Sequence, residues 1–123
     1  MKLRFRNNSV RLRLNRQEVA DLASGSALAE QVYFPGGGNI SYILEPSPLS
    51  SPGASFCDGV IRISAPQTEV GEWAAGADSI GIYFDLPARG VSLHVAIEKD
   101  LECVEETEEQ DPLAFPRPIG KNC

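Results

Sequence analysis

The chain lacks the features that mark several common protein classes. No apolar run approaches the roughly 18 residues that a membrane-spanning helix needs, and the N-terminal residues alternate cations with apolar side chains, unlike a secretory signal. The three cysteines have no C-x-x-C spacing, so they predict neither a disulfide framework nor a zinc knuckle. Cys57 lies among strand residues and is expected to be buried. These absences predict a cytoplasmic protein with no membrane partner.

Catalytic motifs are missing as well. His94 is the only histidine, so no histidine pair can hold a metal, and neither G-x-S-x-G nor H-E-x-x-H occurs. His94 alternates with Leu93 and Val95, which predicts that it points away from the face that they bury. A histidine without a nucleophile and an orienting partner is typical of a surface residue. We expect no cofactor, and an enzyme is the less favoured class.

The composition is that of one small globular domain. Hydrophobic residues make up 42% and charged residues 23% of the 123 residues, and a chain of this length buries roughly two-thirds of its unfolded surface. The patterns of apolar residues predict a single α+β domain over residues 1–123, with about eight strands and two short helices. The strands are expected to form a largely antiparallel sheet or sheets, or a barrel.

The first half of the chain begins with a predicted hairpin and helix. Alternation over residues 2–14 predicts two paired strands, and Asn7 with Asn8 suits the tight turn between them. Asn15 is a candidate N-cap, and Glu18 stands three residues later, where the reciprocal partner of a capping box belongs. A short helix is therefore expected directly after the hairpin.

The second half repeats this order of elements. Asp58 and Gly59 predict a hairpin turn between two strand-like runs. Ser64 is expected to cap a second helix, with Pro66 near its first turn and Gly76 at its end. Two further strands are expected in each half, at 29–34 and 40–45 in the first and at 79–84 and 91–98 in the second.

The two halves also match in sequence. The pattern E-V-x-x-[L/W]-x-x-G occurs at residues 18–25 and again at 69–76, and [V/I]-Y-F occurs at 32–34 and 82–84. This predicts an internal duplication of a strand-strand-helix-strand-strand unit. Convergence of two amphipathic units on common residues is the alternative. The predicted division is two pseudo-repeats, 1–46 and 53–98, and an acidic, proline-containing tail, 99–123.

Ten apolar residues on the predicted inner faces form the expected core. Trp73 is expected to pack the second helix onto the sheet, since large aromatic side chains dominate core energetics. The others are Leu12, Leu14, Val19, Leu22, Ile43, Ile61, Ile63, Ile82 and Val95.

Charge is distributed unevenly, because the first sixteen residues hold six cations and no acid while the net charge is −6. Five of these cations alternate along the first hairpin and so share one face: Lys2, Arg4, Arg6, Arg11 and Arg13. This face is a candidate binding site for a small anionic ligand. The alternative is a hydrated sheet surface that guards against edge pairing. Nucleic acid is not expected as a partner, because the acidic total opposes phosphate backbones.

The C-terminal segment 98–123 holds eight acids and three cations. We expect it to dock on the basic hairpin by charge attraction, with Phe115 buried as an apolar anchor and residues 105–111 more mobile than their neighbours. Cys103 and Cys123 are the metal candidates among the nearby acids. Thiolates and carboxylates without histidine match no common zinc pattern, so no metal is predicted.

The same segment resembles a known family. The stretch E-K-D-L-E-C-V at 98–104, the acids after it and F-P-R-P at 115–118 are similar to an uncharacterised family of short bacterial proteins, a domain of unknown function. Members carry E-K-D-F-x-C-L and F-P-x-P, so Leu101 and Val104 depart from the pattern. The resemblance implies a bacterial origin and no established activity, and no functional residue can be carried over.

These observations favour a small cytosolic binding or interaction domain without catalytic activity. A homodimer through an exposed strand or apolar patch is one form that it could take. The alternative is a small enzyme or sensor that binds a phosphorylated or other anionic metabolite on the basic face. A metal-dependent protein that uses the tail is the third hypothesis. The sequence predicts no particular reaction or ligand.

Overall fold

The computed structural model describes residues 1–101, 112–116 and 118. Cys103, Cys123 and the stretch 105–111 therefore lie outside the described residues. The predicted α+β architecture of eight strands and two short helices is confirmed. In chain order the elements are β1 (Lys2–Arg6), β2 (Ser9–Leu14), α1 (Arg16–Ala23), β3 (Leu28–Tyr33), β4 (Asn39–Ser47), β5 (Gly53–Cys57), β6 (Val60–Pro66), α2 (Gln67–Ala75), β7 (Gly81–Ala88) and β8 (Val91–Lys99).

The strands form two mixed sheets of four, which excludes the barrel alternative. The first sheet has the order β1-β2-β8-β7 and the second has the order β3-β4-β6-β5. Each sheet joins two antiparallel hairpins side by side through a parallel central pair, β2 with β8 and β4 with β6. One hairpin of every sheet therefore comes from the first half of the chain and one from the second.

The strand orders are related by a simple exchange. Replacing each strand of the first half by its counterpart in the second half, and the reverse, turns β1-β2-β8-β7 into β5-β6-β4-β3, which is the order of the second sheet. An internal duplication of the two halves would produce this relation. The duplication itself stays a prediction.

Three of the hairpins turn through two residues whose first member has a positive φ. Asn7 has a φ of 53°, Asp58 of 51° and Arg89 of 48°. The turns predicted at Asn7–Asn8 and Asp58–Gly59 are thereby confirmed. At Gly59 a Cβ would also lie 3.2 Å from the Asn39 carbonyl oxygen, so the close approach of β4 favours glycine there.

The helix ends agree with the sequence in α1 and differ in α2. The Asn15 side chain accepts a hydrogen bond from the Glu18 backbone N–H, and the Glu18 carboxylate accepts one from the Asn15 backbone N–H, both at 2.9 Å. The prediction that Ser64 caps α2 is wrong, because β6 continues through Ser64 to Pro66, which takes the N-cap position without a side-chain bond. Gly76 is the C-cap, as predicted.

The two helices close one end of the space between the sheets. They pack on each other, and each contacts strands of both sheets: α1 contacts β2, β3 and β4, and α2 contacts β4, β6 and β7. The helices follow the C-terminal ends of β2 and β6, whereas all four hairpin turns lie at the opposite ends of these sheets. The molecule thus has a helix end and a hairpin end.

The core lies between the sheets and under the helices, and eight of the ten predicted core residues are buried. Ile43 is only half-buried because it pairs with Ala29 and Arg62 on the outer face of the second sheet, while the neighbouring Leu44 takes the inward position. Ile61 points inward but lies toward the hairpin end, so it too is only half-buried. Alternation predicted the inner face, but it did not predict how far the helices cover it.

The predicted burial of Phe115 is wrong. Its side chain is 97% exposed, and residues 112–116 are exposed throughout. The prediction relied on attraction between the tail and the basic hairpin and did not consider nearer counter-ions. Lys2 pairs with Asp100 at 2.7 Å, and Glu98 pairs with two of the hairpin's arginines. Among the described residues, no helix is long and apolar enough to cross a membrane.

Trp73 is the residue through which α2 is fixed to the first sheet. It is 2% exposed, and its indole N–H donates to the Ile80 carbonyl at 2.9 Å. We expect Trp73→Ala to lower the free energy of unfolding by about 3–5 kcal/mol, because it leaves a cavity and removes the indole's hydrogen bond to the Ile80 carbonyl. Denaturant unfolding measures this, with Leu49→Ser as the control, since Leu49 is 68% exposed. Equal stability of Trp73→Ala and wild type would refute the assigned packing.

Candidate functional site

The predicted basic face exists and covers one half of the first sheet's outer surface. The register pairs Lys2 with Arg13 and Arg4 with Arg11, so these cations lie directly across from one another. Arg6 continues the same face at the end of β1. Like charges placed directly opposite each other destabilise a sheet. The arrangement therefore calls for nearby negative charge.

Glu98 on β8 supplies that charge. It is 5% exposed, lies beside Arg13 in the parallel register, and places Oε1 3.1 Å from Arg11 Nε and 3.7 Å from Arg13 Nε. The Tyr83 hydroxyl donates to Glu98 Oε2 at 2.6 Å. Ion pairs and a hydrogen bond of this kind offset the cost of taking a carboxylate out of water. Glu98 is thus the centre of the basic face, and sequence reasoning had placed it only in a strand.

Gly81 makes room for this arrangement. It lies across from Glu98 in the antiparallel register, and a Cβ built on it would come within 2.6 Å of the Tyr83 hydroxyl oxygen. The Tyr83 side chain therefore folds over the glycine to reach Glu98. Aromatic side chains covering a strand glycine are a recurrent way to stabilise an edge strand such as β7.

The basic face is shallow where it could take a ligand. A depression of about 210 Å³ lies on the outer face of the first sheet, and of the five predicted cations Arg11 lines it. His94 borders it and points outward as predicted, with Nδ1 2.5 Å from Asp85 Oδ1. Ser9, beside His94 in the register, donates its hydroxyl to the Arg6 carbonyl at 2.5 Å. His94 and Asp85 therefore form an exposed side-chain pair, and the neighbouring Ser9 hydroxyl is bonded to a backbone carbonyl.

The cysteine predictions have mixed outcomes. Cys57 is exposed at the end of β5, so its expected burial is wrong: it occupies an outward position of an outermost strand. Cys103 and Cys123 lie outside the described residues, so their role as metal candidates stays untested. In the described part of the chain, no group of three or more histidine, cysteine or acidic side chains could hold a metal ion.

A second region, the apolar cleft, lies between the two sheets at the hairpin end. It has a volume of about 410 Å³. Phe5 and Phe56 stand at its sides and are 60% and 69% exposed, although both belong to the inner faces of their sheets. Ser55 is the one polar residue in its lining, which otherwise consists of Phe5, Val10, Ile40, Ala54, Phe56, Ile61, Ile63 and Leu93.

The positions of Phe5 and Phe56 in the sequence point to this cleft, although they were not among the predicted site residues. Phe5 and Phe56 each lie two residues before a two-residue turn, and each pairs with a β-branched residue, Val10 or Ile61. The 51-residue offset between the phenylalanines is the same as that between the helix patterns at 18–25 and 69–76. Aromatic side chains at corresponding positions of the two halves, at the open end of each sheet, indicate a shared apolar site between the sheets.

An ionic cluster at the helix end ties the chain's first residue to the fold. The Met1 ammonium donates to the Glu18 carboxylate and lies 3.2 Å from Glu30 Oε2, and the Tyr42 hydroxyl donates to the Met1 carbonyl at 3.1 Å. Burial alone would lower the pKa of the ammonium, but the bonds and charges of both glutamates raise it above its usual 8.0. Burial likewise opposes ionisation of Glu18, yet its bonds to the ammonium and to the Asn15 backbone lower its pKa.

The chain matches a family of unknown function (DUF7009) over residues 1–119. The chain belongs to this family. The resemblance to an uncharacterised family is thereby confirmed. No curated protein and no solved structure matches the chain. Membership of DUF7009 assigns no role to any residue, so function has to be argued from the basic face and the apolar cleft.

Removing the charge of Glu98 tests whether it stabilises the basic face. We expect Glu98→Gln to lower the free energy of unfolding by about 1–3 kcal/mol, because Arg11 and Arg13 lose a buried counter-ion. Glu45→Gln is the matched control: Glu45 binds Arg62 at 3.0 Å on the other sheet, but the two side chains are 31% and 49% exposed. That change should cost less than about 1 kcal/mol. Similar losses for both variants in urea unfolding would contradict the central role of Glu98.

The Met1–Glu18 pair predicts a pH dependence. The pKa of Glu18 is depressed below 4.5, so its contribution is present above that pH and is lost as pH falls through the depressed value. The pKa of the Met1 ammonium is raised above 8.0, so its contribution is present below that pH and is lost as pH rises through the raised value.

The stability difference between wild type and Glu18→Gln should therefore be largest between these two limits and shrink on both sides. Denaturant unfolding across the pH range measures it. Gln17→Ala is the control on the exposed side of α1, where Gln17 bonds only to Asp21. A difference that does not vary with pH would show that Glu18 acts through the capping box alone.

Proposed function

We propose that this protein is a cytoplasmic binding domain without catalytic activity, and that the apolar cleft binds an apolar segment of a partner polypeptide. The main support is the exposure of Phe5 and Phe56, whose large aromatic surfaces lie open to solvent inside a cleft of about 410 Å³. Exposed apolar surface of this kind marks interaction sites in soluble proteins, because leaving it in water opposes folding.

The lining of the cleft favours a polypeptide over a small metabolite. Sites for small molecules place a few polar groups to orient the ligand, whereas Ser55 is the single polar residue among the nine that line this cleft. Apolar side chains of a peptide need no such groups, since burial of their surface supplies the affinity. With Phe5 on one side and Phe56 on the other, the cleft resembles the aromatic-lined grooves that bind extended peptides.

Anion binding on the basic face is the second candidate function. It is favoured by the shared face of Lys2, Arg4, Arg6, Arg11 and Arg13 and by the depression that Arg11 lines. The ion pairs of Lys2 with Asp100 and of Arg11 and Arg13 with Glu98 weigh against it, because they already offset part of the positive charge. We therefore place the main binding surface in the cleft.

The cellular setting is part of the proposal. A cytoplasmic location is supported by an odd number of cysteines without disulfide spacing and by N-terminal residues that lack the apolar core of a secretory signal. The resemblance in the C-terminal motifs supports a bacterial origin. Neither bears on which residues bind the partner.

An environment-sensitive dye tests the cleft directly. Anilinonaphthalene sulfonate should bind the wild-type chain saturably, with enhanced and blue-shifted fluorescence, at concentrations where light scattering shows a monomer. Ala54→Phe places a ring into the cleft and should weaken dye binding at least about tenfold, since the ring excludes the dye from apolar surface worth over about 1.4 kcal/mol.

Leu49→Ser is the matched control, because it removes an apolar side chain that is about as exposed as Phe56 but does not line the cleft. It should leave dye binding unchanged. Circular dichroism should show that both variants are folded. Dye binding of equal strength by wild type and folded Ala54→Phe would overturn the proposal.

A further inference from the structure

The described part of the tail carries the most exposed large apolar side chains among the described residues. Leu113 is 89% exposed and Phe115 is 97% exposed, in the segment P-L-A-F-P-R-P at 112–118. Phe5 and Phe56 in the cleft are less exposed than either. One chain thus presents both an open apolar cleft and a segment with exposed apolar side chains.

We infer that the cleft of one chain receives the side chains of Leu113 and Phe115 from a second copy, an inference that rests on the proposed function of the cleft. Two copies related by a twofold axis would each donate one segment and accept one. Such a reciprocal exchange closes on itself, so it gives a dimer and not an open polymer.

The chemistry of the segment fits the cleft. Three prolines in seven residues restrict the backbone of the segment before binding and so lower the entropy lost on docking. Proline-rich peptides characteristically dock between aromatic side chains, and here Phe5 and Phe56 form the two sides of the cleft. A volume of about 410 Å³ lies within the range of drug-sized ligands, which is enough for two neighbouring side chains.

Charge complementarity favours the same placement. Residues 102–111, which directly precede the segment, include six acids and no cation. Phe5 lines the cleft, and Arg4 and Arg6 flank it on the opposite face of β1. The segment thus follows an acidic stretch of sequence, and its proposed site lies next to a face rich in cations, a combination of opposite charges that speeds association.

A second copy is the better donor than the same chain. In the structure Phe115 lies in solvent and outside its own chain's cleft. β8 carries the chain away from the cleft, from Leu93 to Leu101, over about 26 Å at the usual strand rise. The ten residues 102–111 span at most about 35 Å when fully extended, so a return to the same cleft uses most of that length. A second copy has no such restriction.

The mass of the full-length chain in solution tests the inference. Sedimentation velocity over a range of concentrations should show a monomer–dimer equilibrium for wild type. Phe115→Ser should raise the dimer dissociation constant at least about 100-fold, because two aromatic anchors are lost from each dimer. Leu49→Ser should leave the constant unchanged. Added salt should weaken the wild-type dimer, since an acidic stretch precedes the segment and cations flank the cleft.

A photo-crosslinking residue in place of Phe115 identifies the contact itself. Irradiation should give a product of twice the chain mass, with the crosslink on the peptide that contains Phe5 or the one that contains Phe56. A wild-type chain that stays monomeric at every concentration would overturn the inference, and so would a Phe115→Ser chain that dimerises as tightly as wild type.

Ala54→Phe separates the two proposals. If it abolishes the dimer and Phe115→Ser does not, the cleft is a binding surface but the donated segment is wrong, so the proposed function survives alone. If Phe115→Ser abolishes the dimer and Ala54→Phe changes neither the dimer nor dye binding, the segment binds elsewhere, and both the inference and the proposed function are overturned.

Discussion

The parallel pairing of β2 with β8 and of β4 with β6 is the constraint on which the rest of the structure depends. Each half of the chain makes only hairpins and one helix, and a two-stranded hairpin alone is marginally stable in water. Joining a hairpin from each half produces two four-stranded sheets with facing apolar surfaces. Because the pairing of β2 with β8 joins residues 9–14 to residues 94–99, it closes a long loop, and we expect it to limit the folding rate.

The charges follow from this pairing. Glu98 lies beside Arg11 and Arg13 only because β8 joins β2 in parallel, and Glu45 meets Arg62 through the corresponding pairing of β4 with β6. The two ion pairs occupy equivalent places in the two sheets but differ in burial. The basic hairpin is therefore partly neutralised within its own sheet. This weakens the charge attraction on which the predicted burial of Phe115 depended.

Local features were predictable from the sequence, and long-range ones were not. The turn at Asn7–Asn8 and the capping box of Asn15 and Glu18 depend on neighbouring residues, so the pattern identified them correctly. The prediction that Ser64 caps α2 failed because a serine just before a helical pattern is either an N-cap or part of a strand that continues to the helix. The local sequence is the same in both cases. Whether Ile61 is covered depends on the distance to the helices, and the value of Glu98 depends on a partner strand more than 80 residues away.

The apolar cleft arises from the same topology. At the helix end, α1 and α2 bury Val19, Leu22, Val70 and Trp73 and so fill the space between the sheets. At the hairpin end the described connections are short turns, which bring no side chains inward. The inner faces nevertheless continue as apolar residues to Phe5 and Phe56. An antiparallel hairpin that only needed solubility would place polar residues at such uncovered positions. The two phenylalanines at corresponding positions are the basis for proposing that a bound segment covers this end, as the helices cover the other.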